Sequence, residues 1–238
     1  MSQFENARTW DLDYANDART VSRFFNTVYA WMAVGLAWTA VVAWFVAHTP
    51  SLLQLVYGNG PGVMLVFALG LFAIAWITQS AALKLGAGVG TLLFMTYATL
   101  MGVMISGIFI MYELDTIGAA FFVTGGVFAV MSIYGFVTKR DLSTIGSIAV
   151  MGLFGLFAAS LVNLFVASDA LSWFITYGVV LVTVAIIAYQ TQNLRAIATE
   201  LHGNEAMLPR YAIIGSLILY IAFINLFLSI LRIMGDRR

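Results

Sequence analysis

From Phe24 to Leu83 the chain contains no Asp, Glu, Lys or Arg. Five further charge-free intervals follow at Leu85–Tyr112, Thr116–Thr138, Leu142–Ser168, Ala170–Leu194 and Tyr211–Leu231. An apolar helix needs about 20 residues to cross the hydrocarbon core of a bilayer. The first interval is long enough for two such helices, and the segment from His48 to Gly62, with Pro50, Asn59 and Pro61, divides it. The pattern therefore predicts an all-α membrane bundle of seven transmembrane helices over residues 24–235. A soluble fold is excluded by the balance of residue types: 62% are apolar and 9% charged, leaving too little polar surface to face water.

The charges that punctuate the spans also orient them. Arg8, Arg19 and Arg23 precede the first, Lys84 follows the second, Lys139 and Arg140 follow the fourth, and Arg195 and Arg210 lie between the sixth and seventh. The alternate connections carry no Lys or Arg. Short basic loops stay in the cytoplasm, so the amino terminus is expected there. Residues 1–23, polar and carrying Glu5, Asp11, Asp13 and Asp17, read as a cytosolic tail before an uncleaved first span. The acids of the tail lack the central glycine and closing glutamate of a calcium loop. Seven crossings leave Arg232, Arg237 and Arg238 on the opposite side. Either the last segment crosses despite them or it returns as a re-entrant loop; the accumulated earlier bias favours a crossing.

Composition removes several function classes. The chain has no cysteine and two distant histidines, His48 and His202. Thiolate metal sites, thiol nucleophiles, histidine-rich metal sites and a conventional Ser-His-Asp arrangement are thus not expected. Formal net charge is zero and there is no basic tract, so no nucleic-acid partner is expected. No cofactor, bound metal or enzymatic activity is indicated. The expected environment is the lipid bilayer.

Polar groups inside a membrane are costly, and each is a candidate site. The inventory comprises Thr78 and Gln79 in the second span, Asn163 in the fifth, the string from Tyr189 through Gln190, Thr191 and Gln192 to Asn193 in the sixth, and Tyr220, Asn225 and Arg232 in the last. For Asn163 and Asn225, bonding across a helix interface and lining of a pathway are equally compatible with the sequence. All eleven acids fall in tails, connections or span ends. Glu113 and Asp115 could gather cations at the outer mouth, but a pair of turn-capping surface acids is the simpler reading. Lys139 to Ser143 complements the dipoles of two successive helix ends. Small residues at helix-contact spacing (Gly86 with Gly90, Gly102 with Ser106, Gly155 with Ala159) suit close backbone approach in lipid. The string Gly86–Gly90 reads as packing or a tight turn, since a nucleotide loop needs a strand before it.

The stretch from Tyr134 through Thr138-Lys139-Arg140-Asp141-Leu142-Ser143, then Gly146-Ser147, Met151-Gly152-Leu153 and Ala159–Phe165, resembles the Bax inhibitor family, its bacterial inner-membrane branch above all. Leu219–Leu228, with Phe223-Ile224-Asn225-Leu226-Phe227, is similar to that family's last helix, and Phe24–Ala43 to its first. The resemblance implies a seven-helix bundle with the last helix near its centre. It also implies a pH-sensitive calcium leak or, in bacteria, modulation of a membrane-bound ATP-dependent protease. In the family the leak is attributed to two aspartates, one in the sixth helix and one in the last, that share a proton. Here Gln190 follows Tyr189 where the first is expected, and Ala222 stands two residues after Tyr220 where the second is expected. Gln190 cannot ionise and Ala222 cannot bond through its side chain, so a coupled carboxylate latch cannot form. Arg232 matches a basic residue of the last helix. Two functions follow as expectations: an ion leak with altered pH control, or a non-conducting protein that regulates a partner.

Overall fold

The computed structural model describes residues 2–58, 61–201, 204 and 206–235. Asn59, His202, Glu205, Asp236, Arg237 and Arg238 lie outside them. Among the described residues every regular element is a helix. In chain order these are α1 (Ser2–Ala47), α2 (Pro50–Tyr57), α3 (Pro61–Leu85), α4 (Ala87–Ile105), α5 (Ile108–Met111), α6 (Leu114–Val137), α7 (Ser143–Val166), α8 (Asp169–Glu200) and α9 (Leu208–Met234).

Seven stretches are long and apolar enough to cross a membrane: Arg19–Ala47, Val66–Leu85, Ala87–Met111, Leu114–Val137, Ser143–Val166, Asp169–Glu200 and Leu208–Met234. The chain is a multi-pass membrane protein. The expected tail is helical, because α1 begins at Ser2 and runs into the first span without a break. The acidic run at residues 11–17 is part of that helix. The divider between the first two spans holds a short helix of its own, α2.

Local sequence explains the boundaries. Proline lacks an N–H and suits a first helical turn; Pro50, Pro61 and Pro209 all stand at helix starts. The joint between α3 and α4 is a single residue, Gly86, whose φ of 105° a side chain would oppose. α7 ends on Ala167 in the left-handed region (φ 50°, ψ 38°). α9 is unbroken over 27 residues. At about 1.5 Å per residue it is long enough to cross, and it lacks the break a re-entrant loop would need.

α9 occupies the centre, packed by α1, α3, α4, α6 and α8, while α7 lies outside against α8. Close approach occurs at some of the expected small pairs. A methyl placed on Gly90 would lie 2.7 Å from Cβ of Ala82, and one on Gly102 2.8 Å from Cβ of Val42. Gly155 is different: nothing lies within 4 Å of such a methyl, so the Gly155–Ala159 spacing marks an open surface and not a helix contact. The tightest crossing joins α6 to α8, where Gly135 rests on the backbone of Ala188.

Candidate functional site

The positions assigned to the latch fall on α8 and α9, two consecutive helices that pack together. Ala222 is buried in the bundle, whereas Gln190, Asn225 and Arg232 are half-buried. No hydrogen bond joins Gln190 to Ala222 or Asn225. Asn225 takes part through its backbone, its carbonyl accepting from Oγ of Ser229 at 2.9 Å.

Tyr220 is fully buried and completes the main polar contact of the centre. Its hydroxyl lies 2.6 Å from Oγ1 of Thr39, which donates onward to the carbonyl of Ala98 at 3.1 Å. With the Thr39 proton committed to Ala98, Tyr220 is the donor of the first bond. The chain links α9, α1 and α4, and Phe94 and Tyr97 close around the tyrosine edge-on, with ring centroids at 5.5 and 5.9 Å. One turn before Tyr220, Oγ of Ser216 reaches the carbonyl of Val28 at 3.0 Å and that of Ala212 at 2.7 Å. These bonds fix α9 against α1 in a medium where hydrogen bonding and packing replace the hydrophobic drive.

A second group of hydroxyls lies at the junction of α1, α6 and α8. Tyr29 approaches Ser132 and Thr191. Thr191 donates to its own helix at the carbonyl of Ile187, 2.8 Å away. Oγ of Ser132 and Oγ1 of Thr183 are buried and complete no hydrogen bond among the described residues. Buried polar atoms are nearly always satisfied, so these two are places for water or a ligand atom.

The remaining residues singled out from sequence make local contacts or lie at helix starts. Asn163 organises the α7–α8 turn: its amide donates to Oγ of Ser172 at 2.7 Å and its Oδ1 accepts from N–H of Ser168 at 3.0 Å. These bonds tie Asn163 into the turn between the two helices. Tyr189 lays its ring against Gly146 and seats α7 on α8. Glu113 precedes α6 and Asp115 lies in its first turn, both exposed, where acids complement a helix start. Among the described residues no group of three or more potential metal ligands occurs.

The cytosol-assigned end is held by α8 and α9. The Gln192 amide donates to the carbonyl of Arg140 at 2.8 Å and accepts from N–H of Leu142 at 2.9 Å, clasping the α6–α7 connection. Arg195 donates to the carbonyl of Phe136 at 2.6 Å and places its guanidinium 5.1 Å from the centroid of that ring. Arg210 reaches back to the carbonyl of Leu83 at 2.6 Å. Asp141 accepts from N–H of Ser143 at 2.8 Å, which holds its carboxyl below the usual carboxylate range. The sequence flagged Gln192 only as polar and Arg195 only as a topology charge. Ser132 and Thr183 are single hydroxyls in apolar runs and gave no signal.

A central apolar helix pinned by hydroxyl and aromatic contacts, within a seven-helix membrane bundle, is the class of protein these features define. The family described as inhibitor of apoptosis-promoting Bax1 matches residues 21–238. The chain is 44% identical over 216 residues to inner membrane protein YbhL of Escherichia coli K12, covering 89% of this chain and 90% of that protein. It is 38% identical over 218 residues to an uncharacterized protein of Deinococcus radiodurans (91% and 92% covered) and 34% identical over 217 residues to one of Borreliella burgdorferi (91% and 93%). The chain belongs to the Bax inhibitor-1 family.

Proposed function

We propose that this chain is a non-catalytic cation leak of a bacterial inner membrane, with calcium the first ion to test and with conduction that does not follow a carboxylate pair. The amino terminus is cytoplasmic in this reading. Lys84, Lys139, Arg140, Arg195 and Arg210 then share that side, and the E. coli relative is by name an inner membrane protein. The carrying observation is that Gln190 of α8 and Ala222 of α9, the positions that the resemblance assigns to the latch, carry no acid, while Ser132 and Thr183 are buried without a hydrogen-bond partner among the described residues. Neutral groups of this kind support a hydrated path whose polarity does not change with protonation. Calcium flux into proteoliposomes should be measurable and nearly flat across the neutral pH range. Installing Gln190→Asp together with Ala222→Asp should make it pH-dependent, because two close carboxylates titrate as a coupled pair. Absence of flux at every pH in both proteins overturns the leak.

The alternative is a non-conducting regulator of a membrane-bound ATP-dependent protease. It is supported by the helical extension of α1 ahead of its span, from Ser2 to Arg19. Deleting residues 2–18 should then abolish co-purification with the protease and leave the bundle folded.

A further inference from the structure

The bundle is not closed on the side of α9 between α1 and α6. A cleft of about 490 Å³ opens there, walled by Phe25 and Tyr29 of α1 and by Phe128, Ser132 and Phe136 of α6, and floored by Phe223 of α9. Beyond Phe223 a second cleft of about 360 Å³ continues between the same helices past Phe121 and Gly118. From Ser132 to Gly118 the furrow follows α6 for about 21 Å at the helical rise. The hydrocarbon of one leaflet is about half of a 30 Å core, so the furrow is long enough for a whole acyl chain.

An apolar furrow alone takes any lipid. Two further features select among lipids. Ser132 lines the cleft at 6% exposure; its Oγ is itself buried, completes no hydrogen bond among the described residues, and is approached by the Tyr29 side chain from the opposite wall. At the mouth, Arg195 lies over the Phe136 ring, and that ring meets Phe25 edge-on at 5.2 Å. Only one bond of the guanidinium, to the Phe136 carbonyl, is used within the described chain. Lys139 and Arg140 follow on the exposed connection, while the acid there, Asp141, is occupied by Ser143. Ser132 is one helical turn, about 6 Å, deeper than Phe136. Going inward, the order is cation, hydroxyl donor, apolar furrow. A glycerophospholipid presents phosphate, ester carbonyl and acyl chain in the same order.

We propose that this cleft binds one anionic glycerophospholipid. The phosphate sits at Arg195 and an acyl chain lies along Phe128 and Phe223, with an ester carbonyl level with Ser132, whose hydroxyl turns from Tyr29 toward the cleft to donate to it. Basic pockets between transmembrane helices at this depth are suited to anionic headgroups. The site shares Ser132 with the leak reading, but its test reads lipid labelling and not ion flux.

The test uses the full chain in phosphatidylcholine vesicles containing phosphatidylglycerol with a photoreactive diazirine midway along one acyl chain. Peptide mapping should find label concentrated at residues 25–32 and 125–133. Unlabelled phosphatidylglycerol should compete, and phosphatidylcholine should not. Arg195→Gln should weaken the competing phosphatidylglycerol about fivefold, the scale of one basic contact at a membrane surface. Ala129→Trp, which fills the cleft, should remove the label. Label spread evenly over the outward faces of α3 and α7 overturns the proposal, as does equal competition by the two lipids. Both of those outcomes are read on the unmodified chain, so an unstable variant does not spare it.

Discussion

As sequences, α7 and α9 are close to interchangeable; as parts of the molecule they are opposites. Their most apolar windows have mean hydropathies of 2.2 and 2.4, yet 17% of the first is buried inside the protein and 72% of the second. In water such strings would compete for the same core. In lipid an apolar side chain gains little by leaving the bilayer, so burial is decided by close packing and hydrogen bonds. α9 supplies both, with Ala212, Gly215, Ser216, Ala222 and Ser229 as small positions and Tyr220 as a buried donor. α7 presents Phe154, Leu164 and Phe165 to the outside. What separates them is the arrangement of small and hydroxyl-bearing residues, not apolarity.

The sharpest way to break this contrast is one truncation made in both helices. Leu219→Ala in α9, at 0% exposure, should cost about 2–3 kcal/mol in reversible unfolding from detergent micelles. Leu164→Ala in α7, at 66% exposure, should stay within about 0.5 kcal/mol. Equal losses would refute the packing account.

α7 is not bare along its whole length. Gly146→Ala should cost about 1–3 kcal/mol by the same measurement, because the added methyl meets the Tyr189 ring. Gly155→Ala, on open surface, should be neutral or slightly stabilising. A smaller effect tests the polar half of the argument. Tyr220→Phe should lower stability by about 0.6 kcal/mol, the usual worth of a hydrogen bond between membrane helices. Thr39→Val combined with it should add less than the sum of the two single changes.

The smallest effect lies outside the spans. Asp141 has its pKa lowered in the folded protein by the Ser143 N–H, so its contribution is present above the ordinary carboxylate range and lost as pH falls through the lowered value. Asp141→Asn should remove that acid-side dependence and leave the stability differences between α7 and α9 unchanged. A pH profile of thermal unfolding for parent and variant checks it.

The seven spans were legible because each charge or proline interrupts an apolar run, a signal carried by single residues. The short helix α2 was not. Its hydroxyl anchor, Tyr57 donating to Met104 at 2.9 Å and accepting from N–H of Gly107 at 2.9 Å, depends on a distant break between α4 and α5. The candidate site divides in the same way. Gln190 and Ala222 were readable as departures from a familiar pattern. Gln192, Arg195 and Ser132 derive their significance from partners on other helices or from lacking one. Asn163 is the converse case: the amide is conspicuous in sequence, and its partners Ser168 and Ser172 become visible only in three dimensions.

Gly86 carries a consequence for how α3 and α4 are tied together. A joint of one residue between α3 and α4 leaves no slack for one helix to shift along the other. The two helices form a tight hairpin with Lys84 at its closed end, where Arg210 of α9 reaches the carbonyl of Leu83. Space around Gly86 is open, so what a side chain would meet there is the strain of the positive φ alone, and the hairpin's closure depends on the glycine's backbone freedom and not on packing.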